Sequence, residues 1–596
     1  MESNDSDLSS SADENPSRAP NRPEIANLDA TGGGPAPPNY RRQPLLISLI
    51  LVGSLALGVL AALTPHYETN DDAAMNAIAA GRGFVDRPDE HLIYSNVLIG
   101  LALKSLYAVA PQIPWYGGLW FLTACLSLLA ICFACLRNDL SEWTLGLTGT
   151  FLWMAGVPVL TQLQFTRIAF LAGLAGLLLL ASGIRTPGGS LHSWFAIPLL
   201  LIGALIRIDA FRLVFVVLSP VVLWMLWRAW SQKNARYGIV ILAACLAFGI
   251  GAAQYNRSYY GRDAAWQAFF PFNALRVELM DFDRAEYNEQ TAAAFNEAGW
   301  LPVDVQMLRN WAFLDQDRYN SQKLQAILNA APSTNWQSPR PWLALTQQMA
   351  ADSELWGLLA CGVAALAILA IGRSVWIIPL ACYVVTIVAC LLIYRFMHLP
   401  ARVYCPAFAG CAVTVIVLSA GRHQPGRPAR WLEMPFGRYL ALAAIGSVIV
   451  WRGAAIWRSN ANFVSYHASA VQMLKGLAPK ANQLFVIWAG DFPFEFVTLP
   501  FDRQALPADF KVMTMGWTTG FTRLRMHELG ARDLISLVRQ SGQTYFICEK
   551  ADTELLGAYF RAHYGVGLKD HVVFAHPALY DSAVYQLSVD GTPPRS

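Results

Sequence analysis

The sequence predicts a polytopic α-helical membrane protein with a C-terminal soluble α/β domain. Three observations carry that expectation. Of 596 residues, 55% are hydrophobic and 14% charged, against roughly a quarter charged in soluble domains. Apolar runs of about 20 residues, the length that crosses a hydrocarbon core, recur through residues 44–455. Residues 456–596 then alternate short β-type runs with amphipathic helical ones. The net charge of +3, from 44 basic and 41 acidic residues, is too balanced for a nucleic-acid partner. Nine of ten cysteines fall in or beside apolar segments and Cys548 stands alone near the C-terminus, so the thiols read as small core residues rather than a disulfide framework.

Residues 1–43, rich in Ser, Asp, Pro and Gly without apolar periodicity, read as a disordered cytoplasmic tail. Arg41 and Arg42 precede the first span, "PLLISLILVGSLALGVLAAL", and favour the cytoplasmic side. That span reads as retained, because the long acidic tail is unlike a short charged leader. Further spans are expected near 115–136, 142–158, 166–184, 192–208, 210–229, 237–254, 355–371, 375–394, 401–420 and 437–455, about eleven in all. The basic loops "WRAWSQKNAR" (227–236) and "GRHQPGRPARW" (421–431) should be cytoplasmic. Counting back from them puts the 255–354 loop and the C-terminal domain, 456–596, outside. "HLIYSNVLIGLALKSLYAVAP", from His91, is apolar enough to span, but admitting it reverses every later side. It is read as an interfacial or re-entrant helix, with Lys104 and Tyr107 near the headgroups, inside a first external loop of 65–114.

That loop opens with "HYETNDDAAMNAIAAG", which places Glu68, Asp71 and Asp72 just beyond the first span. Thr69 and Asn70 can cap a helix beginning at Asp71, whose first turn favours acids through the helix dipole. Alternatively, a carboxylate at the membrane surface acts as general base, taking a proton from an acceptor hydroxyl while a sugar leaves a lipid phosphate. Two basic clusters fall on the same expected side: Arg207, Asp209 and Arg212 in "GALIRIDAFRLVF", and Arg395, His398 and Arg402 in "YRFMHLPARVYCPAF". Charges bordering spans are costly and mark ligand pathways, and Arg offers a fork matched to phosphate oxygens. The competing reading is snorkelling, or an internal ion pair between Arg207 and Asp209.

A first span, then "NDDAAMNAIAAG", an amphipathic segment, many spans and a C-terminal domain resembles the membrane glycosyltransferases of the GT-C fold. These include protein mannosyltransferases, aminoarabinose transferases and bacterial arabinofuranosyltransferases. The resemblance covers residues 44–455 as an architecture, and its sharp motif is a few residues long. It implies a polyprenyl-phosphate sugar donor at the outer face of the cytoplasmic membrane, a glycan, lipid or protein acceptor, and catalytic acids at Asp72 and Asp71, with Asp72 marginally preferred. "RVYCP" is similar to the family's Arg-aromatic-Pro stretch near the lipid phosphate, which points to Arg402. Metal-dependent relatives carry another acid in the second external loop, where this chain has "VLTQLQFTRIAF", offering Gln162, Gln164 and Arg167. No metal or other cofactor is therefore expected, and basic side chains would stabilise the leaving phosphate.

Donor-phosphate candidates are thus Arg402, Arg395, Arg207, Arg212 and His398, with Arg257 and Arg262 added from the end of the seventh span; Glu68 and Gln164 are candidates for orienting the acceptor. In the 255–354 loop, Trp266 and Trp311 either stack on sugar rings or form the loop's own core. Strands are expected at "LFVIWA", "KVMTMGW", "TYFICE", "VVFAHP" and "AVYQLSV", with Asp491 in a loop beyond the first. A lipid-linked glycan polymerase or ligase would share this topology and differ in donor size. A transporter or flippase would also need many spans, but no inverted internal repeat is visible.

Overall fold

The computed structural model describes residues 43–137, 139–184, 190–282, 284–331, 342–370, 376–419, 434–480, 483–502, 506–507, 509–516, 519–539 and 544–590. The expected disordered tail (all but Gln43) and the 421–431 basic loop lie outside them. Eight described helices are long and apolar enough to cross a membrane: Gln43–Ala62, Trp115–Leu136, Glu142–Thr161, Phe165–Gly183, Lys233–Tyr260, Ile377–Phe396, Ala401–Ser419 and Pro435–Leu477. Two further spans form only if bent pairs count as one each: Ile208–Val217 with Ser219–Ala229, bent by 68°, and Trp342–Ala351 with Ser353–Leu369, bent by 77°. This is a multi-pass membrane architecture, with eight to ten candidate spans among the described residues where about eleven were expected. The 192–208 run is a short helix, and 210–229 and 355–371 each belong to a broken pair. Both breaks have local causes. Pro220 has no N–H to continue the ladder of the preceding helix and its ring crowds that helix's last turn, and Leu218 leaves helical geometry (φ −99°, ψ 20°) before a new helix starts at Ser219. At the second break the Asp352 carboxylate accepts from the Glu354 and Leu355 N–H groups at 2.8 and 3.3 Å, capping a new helix.

The centre of the bundle is Phe165–Gly183, apolar all round and buried at every residue except Thr166. Arg167 is the one charged residue of that helix, and it is buried. Val97–Val109, at 13 residues, is about 20 Å long and too short for a hydrocarbon core of about 30 Å. Tyr107, expected near the headgroups, is instead buried. Lys104 pairs with Glu90 at 2.5 Å, and the buried Tyr107 hydroxyl donates to Asn76 and accepts from the Tyr116 N–H, both at 3.1 Å.

The acidic motif forms the helix Asn70–Ala80, with Thr69 at its N-cap. Gly81 ends it in the left-handed region (φ 72°), and an added Cβ there would lie 2.4 Å from the Arg87 backbone. Just before this helix, β1 (His66–Tyr67) runs parallel to β2 (Gln162–Leu163), and the Glu68 N–H continues the ladder to Leu163 at 3.1 Å. Two loops far apart in sequence are thereby zipped together beneath the motif.

The C-terminal region contains β3 (Leu484–Ile487), β4 (Val512–Thr514), β5 (Thr544–Glu549), β6 (Leu568–Phe574) and β7 (Ser582–Val589), in the order β4-β3-β5-β7-β6. β3 is parallel to β4 and β5, and β7 is antiparallel to β5 and β6. The boundary expected at 455/456 lies inside one helix, Pro435–Leu477. Nor does this sheet bury a core of its own. Phe272, Phe295, Trp300, Leu308 and Leu324 from the 255–354 segment join Val486, Phe546, Tyr559 and Leu587 in one apolar cluster. Asp315 ties the two together, accepting from the Tyr559 and Tyr564 hydroxyls at 2.6 Å each and from the Leu534 N–H at 2.8 Å.

Candidate functional site

Asp71 and Asp72 occupy the first turn of one helix, yet they face different surroundings. Asp72 is fully buried. Its Oδ1 accepts from the Tyr116 hydroxyl at 3.0 Å, Trp120 Nε1 at 3.2 Å and the Phe165 N–H at 3.2 Å, and Thr69 Oγ1 reaches its Oδ2 at 3.4 Å. Burial first, and then the charge on Asp71, push its carboxyl well above the carboxylate range, against the pull of those donors. Asp72 thus pins the motif helix to two spans, and both of its oxygens are already engaged.

Asp71 keeps some exposure, although its carboxyl is deeply desolvated. Burial raises it; Arg402, then Arg207, and a hydrogen bond from the Tyr94 hydroxyl pull it back. Arg207 sits at the break between Ser190–Ile206 and Ile208–Val217. Its guanidinium lies 4.9 Å from the Phe165 ring and 5.8 Å from the Tyr94 ring, and those two rings are stacked at 5.7 Å. Arg402 stands in the first turn of Ala401–Ser419, half-buried. Two guanidinium charges from separate segments thus act on Asp71, and one of them, Arg207, also covers the Tyr94 ring.

Beside this cluster lies a chain of buried charges. Arg167 Nε is 2.8 Å from Glu68 Oε2, too poorly aligned for a hydrogen bond, while Arg167 Nη1 donates to both Glu354 oxygens at 3.0 and 3.1 Å. Glu354 also takes Arg452 Nη2 at 3.4 Å, and Arg452 Nη1 donates to Ser353 Oγ at 2.6 Å. Burial raises the Glu68 carboxyl, with Arg167 opposing most strongly, Glu354 adding to the rise and Arg402 opposing again. Glu68, Arg167, Glu354, Arg452, Thr161, Asn460 and Ala401 line a cavity of about 360 Å³, within the range of small-ligand sites. Ala401, the residue before Arg402, is part of the lining.

The other sequence candidates are dispersed. Gln164 accepts from the Arg167 N–H at 2.9 Å and donates to Thr166 Oγ1 at 3.1 Å, so it caps the helix that carries Arg167. Arg212 is exposed and pairs with Asp209 at 3.3 Å, the partner expected for Arg207; a helical i,i+3 spacing outcompetes an i,i+2 one. Arg395 lies over the Phe396 ring at 5.7 Å, and His398 is exposed in the link before Ala401–Ser419. Arg257 and Arg262 are exposed at the end of Lys233–Tyr260, with Arg262 over Tyr259 at 5.4 Å. None of these four is among the charges acting on Asp71. Trp266 is buried among Tyr260, Phe270, His91 and Phe521, and Arg276 covers Trp311 at 4.0 Å. Asp491 does lie in the loop beyond β3, where burial, then Asp552 and Glu549, push its carboxyl up to about 8.

Among the described residues, Asp89, Glu90 and His91 offer three ligand atoms within 4.8 Å of one another. They are already engaged: His91 Nδ1 is 2.7 Å from Asp89, and Glu90 accepts from Lys104 at 2.5 Å and Tyr259 at 2.7 Å. Sequence reasoning missed Tyr94, Glu354, Arg452 and Glu495. For Glu354 and Arg452 a signal existed, since each is a lone charge in or beside an apolar run.

No family model matches this chain, and no curated protein matches it. Two solved structures are similar to it. One is ArnT from Cupriavidus metallidurans bound to undecaprenyl phosphate, at 15% identity and a TM-score of 0.36. The other is ArnT from the same organism in the apo state, at 14% identity and a TM-score of 0.35. Each likeness covers 92% of this chain and 99% of the other.

Proposed function

We propose that this chain is a membrane glycosyltransferase that moves a sugar from a polyprenyl-phosphate donor to a hydroxyl acceptor at the outer face of the cytoplasmic membrane. The carrying observation is Asp71 in the first turn of the motif helix, with the charges of Arg402 and Arg207 acting on it and Arg207 held over the Tyr94 and Phe165 rings. Asp71 is the general base, and burial raises its basicity as that role requires. The acceptor oxygen attacks the anomeric carbon as its proton passes to Asp71. The bond from that carbon to the phosphate oxygen breaks, and the electron pair leaves with the phosphate. Arg402 and Arg207 hold the negative charge that develops there, a task that needs no divalent ion. A single displacement inverts the anomeric centre. The polar cavity beside Ala401 accommodates the hydroxyl-rich ring being transferred.

The test uses three strains: one lacking the chain, one complemented with the wild type and one with Asp71→Asn. A charge-neutral replacement of a general base should reduce transfer by about 10²–10⁴-fold, leaving surface glycans like those of the deletion strain. Wild-type glycans restored by Asp71→Asn would overturn the assignment.

A further inference from the structure

The turn Phe494–Val497 belongs to the β-sheet region, but it is seated on the motif helix. The Glu495 N–H donates to Asn70 Oδ1 at 3.3 Å, at the residue preceding Asp71. Glu495 and Asp71 lie close enough for the charge on one to act on the other. Glu495 Oε2 is sealed from solvent with no hydrogen-bond partner among the described residues. A buried carboxyl oxygen left unpaired beside a second carboxyl calls for an explanation.

We propose that Glu495 is a positioning residue of the transfer site: it carries the proton of a two-carboxyl pair with Asp71, and so keeps the site's charge suited to an anionic donor phosphate. This rests on the reading of Asp71 and the arginines given above. Two adjacent buried carboxyls do not readily ionise together. Arg402 and Arg207 act on Asp71, whereas the Glu495 carboxyl is pushed up to about 7, first by burial, then against its own backbone N–H, with Asp71 adding to the rise. Asp71 therefore has two guanidinium charges opposing its burial, and no such charge acts on Glu495. The groups facing the turn from its other neighbours do not neutralise Glu495. Tyr580 is a phenol; Tyr466 packs on Phe496; His467 Nδ1 is occupied by the Phe496 carbonyl at 2.6 Å; and His66 is stacked on Phe463. Above neutrality Glu495 ionises and adds a second negative charge beside the arginines, and the site's affinity for a phosphate falls.

The test is equilibrium binding of undecaprenyl phosphate to the full-length protein in detergent micelles from pH 6 to 9, wild type against Glu495→Gln. Gln fixes the neutral state, and the Asn70 contact is made by backbone, so it survives. The lipid phosphate's own ionisation is common to both proteins, which makes the ratio of wild-type to variant Kd the readout. The ratio should be near one at pH 6 and rise to about tenfold by pH 9. A ratio that stays constant across the range overturns the proposal while leaving the donor site standing. Absence of undecaprenyl phosphate binding by either protein at every pH overturns the glycosyltransferase reading, and this proposal with it. Thermal midpoints of both proteins at pH 6 establish that each is folded when compared.

Discussion

Replacing Asp72 separates its structural role from the chemical role of its neighbour. Asp72→Ala strands three buried donors, the Tyr116 hydroxyl, Trp120 Nε1 and the Phe165 N–H, which now lie 3.0–3.2 Å from one oxygen. Each stranded donor costs about 1–3 kcal/mol, and because all three share a single acceptor the losses overlap, giving about 3–6 kcal/mol in total. Asp72→Asn keeps the carbonyl oxygen. Burial and the charge on Asp71 already favour the protonated acid, so the amide is close to an isostere of the resident state and should cost under about 1 kcal/mol. The assay is thermal denaturation of the detergent-solubilised protein, read as loss of the monodisperse peak in size-exclusion chromatography. Asp72→Ala should lower the midpoint by about 5–10 °C, while Asp72→Asn stays near wild type and still restores surface glycans. A stable Asp72→Ala protein, or an inactive but stable Asp72→Asn protein, would refute the division of labour between the two acids.

Two further outcomes follow from particular contacts. A Cβ on Gly117 would sit 2.0 Å from the Pro500 carbonyl oxygen, whereas one on Gly118 meets nothing within 4 Å. Gly117→Ala should therefore cost about 1–3 kcal/mol by overpacking and speed limited proteolysis of the C-terminal region, with Gly118→Ala unchanged; equal digestion of the two would count against that seating. His66, stacked on Phe463 at 3.7 Å, is lowered to about 4, mainly by burial and partly offset by the Thr64 carbonyl. The unfolded chain takes up this proton near pH 6.5, so between 6.5 and 4 it binds more protons than the folded one. Stability falls as pH drops through that window, by about 3 kcal/mol for this group. His66→Phe keeps the stack and should lose that share of the acid sensitivity, measured as the difference in thermal midpoint between pH 7.5 and 4.5. An acid response identical to wild type would reject the assignment.

Hydropathy was enough to locate the long helices, because a stretch such as "LLLLASG" has no stable alternative to burial. It could not locate the bends. Asp352 reads as one more acid in a polar loop until its carboxylate is seen capping a new helix turned by 77°. The five strands were legible from their β-type runs, yet their shared core with residues 272–328 was not, since each partner alone looks like an ordinary amphipathic segment. In the site, the motif was legible and the different surroundings of its two acids were not. Which side of a single turn faces the arginines is decided by Tyr116 and Trp120, more than forty positions downstream, and local spacing carries no trace of them. Arg402 stood out as a charge beside an apolar run. Glu495 did not, being one acid among several in a polar region, 424 positions from the residue it approaches.

The helix Pro435–Leu477 has 43 residues, its only proline in the first turn, and no interruption. At 1.5 Å per residue it is a rod of about 65 Å, roughly twice the thickness of a hydrocarbon layer. Phe463, far along it, stacks on His66 and packs against Phe496, the neighbour of Glu495. Such a rod has nowhere to hinge, so a tilt of about 5° at its lower end sweeps the upper end through about 6 Å. Acyl-chain length, which sets how far a span must lean, thus becomes a mechanical input to the geometry around the acids. The lipid matrix then acts as part of the instrument that aligns them.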